Sequence, residues 1–425
     1  MIRNRHILSF GVFALLFACS EGSSIKPTTS DRPANYSRGS SEGAARGELI
    51  EATRIVSLSQ AAITERIKAL GIEAKTGVSI YKITYMTETP AATPAPIEAS
   101  GIIVVPDTKA SVYPWVSVQH GTIVGKIDAP SLSYSEGVLE ASQGFVAVVA
   151  DYIGFGSASE VFHPYLVAEA YADAGVDMLR AAKSFASKNT LTLGPLFLRG
   201  YSEGGYATLA LQKALETQYA TELPITASAP AAGPYDLVTS AKILTAQETA
   251  NPVNLPFVVL SYNKWLTATT GWNIDNVIQL GQAKAYPLFS GSFRTDDIIK
   301  TLPSKTAELF KADVIADVIG TTPTTAEGTQ LRTWFTEQSL HNKSWAPSVQ
   351  TRLYHCRDDK TVPVEATTSA YASFKAINAD SPVVPAVIDS PDAANPYTHT
   401  TCPGIYASLT WFGEILAKAA AAQAQ

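Results

Sequence analysis

The 425-residue chain carries few charges, and its basic residues do not cluster into a stripe. Charged side chains make up 16% of the sequence, and the net charge is −6 at pH 7. Proteins that bind nucleic acids present Lys- and Arg-rich surfaces to the phosphates. The composition therefore predicts no nucleic-acid partner.

Cysteine and histidine are also scarce, with three cysteines and six histidines in the whole chain. A metal site needs several such ligands at short and regular spacing. No Cys/His cluster in the sequence has that spacing, so we expect no metal site.

An apolar run at 7–18, ILSFGVFALLFA, is too short to span a bilayer comfortably. Arg3 and Arg5 precede it, which is typical of a signal peptide, here residues 1–18. The run ends in LFAC and resembles the lipobox of bacterial lipoproteins. That resemblance implies lipidation of Cys19 and export from a bacterial cytoplasm to a membrane, in the periplasm or at the cell surface. An ordinary secretory signal is the alternative.

Residues 19–47 are rich in Ser, Gly, Pro and charge, and such a segment cannot bury enough apolar surface to order itself. We expect a disordered tether there. The remaining sequence, from residue 48, is long enough and apolar enough to form a large core, since 46% of the chain is hydrophobic.

The body alternates between strand-like and helix-like segments, led by an antiparallel hairpin over 78–87 and 99–107. This alternation predicts an α/β fold with a mostly parallel sheet covered on both faces. Between 237 and 345 the rhythm breaks, and it returns at residue 346. The sequence therefore predicts a core formed by 48–236 and 346–425, with an inserted cap domain at 237–345.

The motif GYSEGG places Ser202 between a predicted strand and a predicted helix. Small residues at such a junction can simply form a tight turn. In the alternative interpretation the turn is a nucleophile elbow, which holds a reactive serine at the carboxyl edge of the sheet. A serine nucleophile requires a histidine base and a carboxylate, which follow it in this fold in the order acid, then histidine.

Three histidines follow Ser202 in the chain, and one of them occupies the position expected of a base. His341 and His355 do not, whereas His399 lies in a loop between the last predicted strand and the final helix. The acid is expected at the end of the strand that leads into RDDKTVP. We select Asp359, because its spacing to Pro363 fits a turn that directs one carboxylate inward. Asp358 is held in reserve, and the later Asp389 and Asp392 are less favoured.

Acyl transfer also requires backbone N–H donors that face the developing oxyanion. One is expected from Glu203, directly after the nucleophile. The second is expected from the loop after the third strand of the core, with Thr122 preferred and Gly121 or His120 as alternatives.

These motifs, in this order, resemble the secretory lipase family of the α/β-hydrolase fold. The resemblance rests on HGT after a strand, DYIGFG followed by HPYL, GYSEGG, HCRDDKTVP, and a histidine before a closing helix. It implies Ser202 as nucleophile, Asp359 as acid and His399 as base, with a helical cap inserted before the acid strand. In this fold the loops that carry Cys356 and Cys402 come from neighbouring strands, and an exported chain favours a disulfide between them.

The sequence thus predicts an exported serine hydrolase of carboxylic esters, an esterase or lipase that forms an acyl-enzyme and needs no cofactor. Its expected partners are an ester substrate and, through the lipid, a membrane. Two alternatives remain open. One is a small aminopeptidase of the same fold, and the other is a surface lipoprotein that only binds ligands.

Overall fold

A computed structural model describes residues 33–245, 251–266, 272–341 and 344–423. The predicted signal peptide, Cys19 and the tether up to residue 32 lie outside these ranges. Within them, no helix is long and apolar enough to cross a membrane.

The described residues form one sheet of ten strands in the order β1-β2-β3-β4-β6-β5-β7-β8-β9-β10. The pairs from β1 to β4, and β4 with β6, are antiparallel, whereas every pair from β6 through β10 is parallel. The strands are β1 Tyr36–Ser37, β2 Leu49–Leu58, β3 Val78–Glu88, β4 Pro96–Pro106, β5 Tyr113–Gln119, β6 Val146–Ala150, β7 Leu193–Tyr201, β8 Ile225–Ala231, β9 Gln350–Cys356 and β10 Val383–Ile388.

The central strands are buried on both faces, which explains their nearly continuous apolar sequences. In β6, Val146 and Val148 belong to the hydrophobic cluster on one face of the sheet, and Ala147 and Val149 belong to the cluster on the other. Side chains of a strand point alternately to opposite faces, so the run VAVVA supplies both layers of the core at once.

Helices cover both faces of this sheet, and in the described part of the chain seven of them lie between β8 and β9. The helices before β8 are α1 Gln60–Ile67, α2 Pro130–Ser133, α3 Val138–Ser142, α4 Ala168–Lys188 and α5 Glu203–Thr217. Between β8 and β9 lie α6 Leu237–Thr245, α7 Asn254–Trp265, α8 Gln282–Leu288, α9 Thr295–Thr301, α10 Thr306–Leu309, α11 Ala312–Ile319 and α12 Ala326–Gln338. The chain ends with α13 Val364–Ile377, which precedes β10, and α14 Gly404–Gln423, which follows it. Helices α6–α12 occupy the residues for which the sequence predicts a cap.

The N-terminal part of the sheet is larger than the predicted hairpin. Strand β2 pairs along β3, and it ends directly before α1, where Ser59 caps the helix by accepting from the N–H of Ala62. No strand before the hairpin is predicted from the sequence. The Ser59 cap places the start of α1 at Gln60, because β2 continues through Leu58.

Residues 33–47 pack against the body, which differs from the flexible tether expected there. Arg46 forms ion pairs with Glu88, Asp173 and Asp177, and the last of these carboxylates is fully buried. The backbone N–H of Gly47 also donates to the carbonyl of Met86. Charge pairing, the pairing of β1 with β2 and the packing of Tyr36 on the core therefore hold this polar segment, and composition alone does not reveal such contacts.

Candidate active site

Ser202 occupies the junction between β7 and α5 in a strained backbone conformation. Its φ and ψ are 62° and −125°, a region that residues with a side chain rarely adopt. The N–H of Ser202 donates to the carbonyl of Ala231 in β8 at 2.9 Å, which helps to hold the turn. The side chain is thereby presented at the carboxyl edge of the parallel strands.

The glycines around Ser202 allow the close packing that this turn requires. A Cβ at Gly200 would lie 2.3 Å from the carbonyl oxygen of Gly204, and a Cβ at Gly204 would lie 2.1 Å from that of Gln119. Any larger residue would push the start of α5 away from β5. Hence the spacing of GYSEGG has a steric cause.

His399 and Asp359 lie within hydrogen-bond distance in the order that a catalytic triad requires. The Ser202 Oγ is 2.8 Å from His399 Nε2, and His399 Nδ1 is 2.6 Å from Asp359 Oδ2. A carboxylate accepts, so Nδ1 carries the proton and Nε2 is free to accept from the serine hydroxyl. The three residues come from loops after β7, β9 and β10, which end at the same edge of the sheet.

Asp359 is fully buried and yet surrounded by donors. Its Oδ1 accepts from the backbone N–H groups of Thr361 and Val362 at 2.9 and 3.0 Å, and His355 Nε2 lies 3.5 Å from Oδ2. Burial alone would raise the pKa of Asp359, but the adjacent His399 and His355 outweigh it and hold the pKa well below its usual range. The carboxylate is therefore ionised wherever the protein is folded at ordinary pH.

The other candidate residues lie outside this arrangement. Asp358 accepts from Ser390 at 2.5 Å, Asp389 pairs with Arg357 at the surface, and Asp392 is exposed. His341 lies near Asp236, away from the serine. His355 is a neighbour of Asp359, although the sequence gives it no part in the site.

The residues expected to hold an oxyanion lie on both sides of Ser202. Glu203 is the first residue of α5, so its N–H has no partner within the helix and lies at the positive end of the helix dipole. A Cβ built on Gly121 would lie 3.9 Å from the Cβ of Ser202, which places that loop directly beside the nucleophile. The Thr122 hydroxyl is 3.0 Å from the Tyr165 hydroxyl.

The side chain of Glu203 is buried in a polar cluster that the sequence analysis does not foresee. Its Oε1 accepts from the Tyr171 hydroxyl at 2.9 Å and lies 3.0 Å from His163 Nε2. His163 Nδ1 is 2.7 Å from the carbonyl of Ile153, which can only accept. Since Nδ1 must therefore donate, a proton is required between Nε2 and Oε1. The cluster joins the DYIGFG and HPYL motifs to the start of α5.

The ring of His120 is fixed within the loop beside Ser202. It lies 2.8 Å from the carbonyl of Gly121, 3.1 Å from that of Asp151, and stacks on Tyr152 at 4.0 Å. Burial is the main cause that lowers the pKa of His120. The ring therefore supports the loop and does not face the serine as a second base.

Two spaces of unequal size adjoin Ser202. The first, here called the cap pocket, measures about 30 Å³ and is lined mainly by apolar side chains of α6, α7 and α12, among them Leu237, Leu244, Leu255, Val258 and Phe335. The second, here called the cleft, measures about 240 Å³. Besides Ser202 and His399 it is lined by His120, Gly121, Thr122, Ile123, Asp128, Pro130, Glu136, Tyr201, Asn251, Asn254, Thr361 and Thr400.

Glu136 lines the cleft and is a second titratable group that the sequence analysis misses. Burial, followed by the nearby Glu140, raises the pKa of Glu136 to about 7, although Arg199 opposes the shift. Arg199 itself is buried and paired with Glu140. A carboxyl group that changes charge near neutrality thus lies in the same cleft as the serine.

A disulfide joins Cys356, at the end of β9, to Cys402, shortly after His399. It connects the segment that carries the acid with the loop that carries the base. Among the residues described by the structure, no group of three or more His, Cys, Asp or Glu side chains could hold a metal ion.

The fold and this arrangement define a class of protein. A mostly parallel sheet with a serine elbow after a central strand, an acid and a histidine after later strands, and helices between them is the α/β-hydrolase fold. The predicted fold class is confirmed.

Comparisons with known proteins support the same class. A sequence model of the secretory lipase family matches residues 135–251. The crystal structure of a rice cell wall degrading esterase, LipA from Xanthomonas oryzae, is 26% identical with a TM-score of 0.75, covering 88% of this chain and 99% of its own. Lipase A from Candida antarctica is 17% identical with a TM-score of 0.59, covering 84% of this chain and 79% of its own. No curated protein sequence matches the chain. The chain is an α/β-hydrolase that resembles the secretory lipases.

Replacing Glu136 with Gln should change stability in a pH-dependent manner. The folded-state pKa of Glu136 lies above its ordinary value, so its ionisation costs stability as pH rises from about 4.5 to about 7, and the cost persists above that range. Glu136→Gln removes this cost and should be more stable than the wild type at pH 8, by on the order of 1 kcal/mol. At pH 5 the difference should shrink. Urea unfolding of both proteins at pH 5 and at pH 8 measures this difference in the free energy of unfolding.

The control is Glu73→Gln, which neutralises an exposed carboxylate. If the two variants show the same pH dependence, Glu136 is not buried as described.

Proposed function

We propose that the chain is a serine hydrolase of carboxylic esters that acts through an acyl-enzyme. The observation that carries the proposal is the pair of hydrogen bonds that link Ser202, His399 and Asp359, at 2.8 and 2.6 Å. The similarity to an esterase and to secretory lipases supports an ester as the substrate. A protein that only binds ligands would not need all three residues in this order.

In the first half-reaction the Ser202 Oγ attacks the ester carbonyl carbon while His399 Nε2 takes its proton. The negative charge on the carbonyl oxygen is stabilised by the N–H of Glu203 and by an N–H of the loop at Gly121 or Thr122. Asp359 stabilises the imidazolium that forms. The C–O bond to the alcohol then breaks, and the leaving oxygen takes the proton from His399.

In the second half-reaction a water molecule replaces the alcohol. His399 takes a proton from the water, whose oxygen attacks the acyl carbon, and the bond to Ser202 breaks. The serine oxygen recovers its proton from the same imidazole. No atom outside the substrate, water and protein is required, so the reaction needs no cofactor.

The cap pocket favours a short acyl chain. By the measure in which one water molecule needs about 10–15 Å³, a volume of about 30 Å³ holds about two or three waters, which leaves room for a short chain of a few heavy atoms. The apolar lining suits a methyl or ethyl group. We therefore infer a carboxylesterase acting on short acyl groups rather than a lipase acting on long-chain triacylglycerols.

The aminopeptidase alternative makes a specific demand on the same pocket. An aminoacyl group carries an ammonium, which must be paired where the acyl group binds. The carboxylates of Asp128 and Glu136 line the cleft and not the cap pocket. Glu203 does line the cap pocket, but His163 and Tyr171 engage only its Oε1, and its buried Oε2 has no hydrogen-bond partner among the described residues. An aminopeptidase would have to pair the ammonium with that one oxygen, whereas an ester requires no such partner.

Export remains a further part of the proposal. The similarity to secretory lipases and the disulfide both fit an oxidising compartment. We infer that the chain is cleaved before Cys19, lipidated there and anchored to a membrane.

Removing the nucleophile should abolish ester hydrolysis. Ser202→Ala should lower kcat for p-nitrophenyl acetate by a factor on the order of 10⁴ to 10⁶, and Asp359→Asn by about 10⁴, because the imidazole then loses its partner and its tautomer. Asp358→Asn changes the adjacent carboxylate and serves as the matched control, with a rate within a few-fold of the wild type. Equal losses in Asp358→Asn and Asp359→Asn would contradict the assignment of the acid.

The acyl-chain preference tests the role of the cap pocket. Across p-nitrophenyl esters the wild type should prefer acyl chains of about two to four carbons. Leu244→Ala enlarges the pocket and should move the optimum toward longer chains by about two carbons. Leu280→Ala, at a partly exposed leucine between β8 and β9, is the control. A wild-type optimum at palmitate would overturn the inference of a short-chain esterase.

Mass spectrometry of the membrane-extracted protein tests the anchor. The expected N-terminal peptide begins at Cys19 and carries the added mass of the lipid. Cys19→Ser should release the protein from the membrane fraction or leave it unprocessed. A mature N-terminus at another residue, with no lipid attached, would contradict the lipid anchor and indicate an ordinary secretory signal.

A further inference from the structure

A second cavity lies behind the cleft, on the face of the sheet covered by α1, α3 and α14. This rear chamber measures about 170 Å³. It is bordered by the ends of β5 and β7, by the segment after α1 and by the residues around α3, and it is partly open to solvent beside Arg66 and Ala69. Its lining comprises Arg66, Ile67, Ala69, Leu70, Val118, Gln119, His120, Gly121, Ser135, Glu136, Gly137, Val138, Leu139, Glu140, Arg199, Gly200, Tyr201 and Tyr406.

The rear chamber shares a wall with the cleft. His120, Gly121, Glu136 and Tyr201 line both spaces. Tyr201 packs on the ring of His399 at 4.9 Å, and its hydroxyl donates to the His399 carbonyl at 2.6 Å. The rear chamber therefore adjoins the cleft, and Tyr201, which lines both, contacts the catalytic histidine.

The chamber combines an apolar body with several polar groups. Ile67, Leu70, Val118, Val138 and Leu139 form most of its surface. The polar residues of the lining are Glu136, Tyr406, the buried pair of Arg199 with Glu140, and Arg66, Gln119, His120, Ser135 and Tyr201. Because Arg199 and Glu140 engage each other, Glu136 is the carboxyl best placed to bond a ligand.

The size of the chamber fits one six-membered ring. An apolar protein cavity of about 150 Å³ is known to bind benzene. A sugar ring of similar size would bring hydroxyls against the apolar walls and leave several of them without partners. An aromatic ring with a single polar substituent suits both the volume and the lining.

The chemistry of the triad decides which part of the ester extends toward this chamber. His399 gives its proton to the oxygen of the leaving alcohol, so that alcohol must lie next to the imidazole. His399 lines the cleft and does not line the cap pocket. The acyl group therefore occupies the cap pocket, and the alcohol extends along the cleft.

We propose that the rear chamber binds the aromatic ring of the leaving alcohol, with a ring hydroxyl bonded to Glu136. The proposal rests on the ester hydrolysis put forward above and names its substrate class, a short-chain ester of a hydroxylated aryl alcohol. When the ester C–O bond breaks, the alcohol oxygen takes the proton from His399 Nε2, and the alcohol leaves with its ring in the chamber. The raised pKa of Glu136 fits a carboxyl group able to donate as well as accept.

The test uses acetate esters that differ only in the alcohol. Methyl acetate is compared with benzyl, 2-phenylethyl and 3-phenylpropyl acetates, each with and without a para hydroxyl. The three lengths vary the separation between the ester oxygen and the ring. We expect the best hydroxyaryl ester to exceed methyl acetate in kcat/KM by roughly tenfold or more.

Val138→Phe fills the chamber and should bring that ratio close to one. Glu136→Gln should reduce the advantage of the para hydroxyl while keeping that of the ring. Val112→Phe adds the same bulk at an exposed position before β5, at the opposite end of that strand from the site, and should keep the wild-type ratio. An unchanged ratio in Val138→Phe would overturn the proposal.

Binding to Ser202→Ala separates this inference from the proposed activity. Calorimetry should detect binding of the free hydroxyaryl alcohol to Ser202→Ala. In the double variant that also carries Val138→Phe, the affinity should be at least tenfold weaker. Binding without any ester hydrolysis by the wild type would sink the proposed function and leave the chamber assignment standing. Ester hydrolysis with no preference among alcohols, and no binding of the free alcohol, would overturn the chamber assignment and leave the proposed function standing.

Discussion

Everything at this site depends on the close approach of the start of α5 to the ends of β5 and β7. The glycines at 200 and 204 permit that approach, since carbonyl oxygens occupy the space that their side chains would fill. The strained conformation of Ser202 follows from it. Strain at one residue costs on the order of 1–3 kcal/mol and persists only where the surroundings fix it. Here the packing of a whole helix against the sheet holds the nucleophile in place.

The sequence predicts much of this arrangement, because the chemistry restricts both the residue types and their order. The structure brings together Ser202, Asp359 and His399, which the sequence analysis selects from the requirement for an acid and then a base. Strand β2 is not predicted from the sequence, because charged residues such as Glu51 and Arg54 interrupt the alternation of apolar and polar residues in this strand near the edge of the sheet. The packing of residues 33–47 is not predicted either, because the carboxylates that hold Arg46 lie far along the chain.

Glu136 and the clusters around Glu203 show a different limit of prediction. Neither residue belongs to a motif whose chemistry demands a carboxylate, and each gains its character from burial and from distant neighbours. The cap pocket and the cleft beside the serine also result from contacts between residues that are distant in the sequence. A small apolar pocket under α6 and α7 and a wider polar cleft arise from side chains contributed by segments throughout the chain, which no local pattern specifies.

The disulfide between Cys356 and Cys402 links this geometry to the chemistry of the compartment. It ties the end of the acid strand to the loop of the catalytic histidine, across a separation of 46 residues. Reducing conditions keep such thiols apart, whereas an oxidising compartment joins them. Under reducing conditions the chain therefore lacks the brace between its acid and its base, so that full assembly of the active site depends on the redox state of its surroundings.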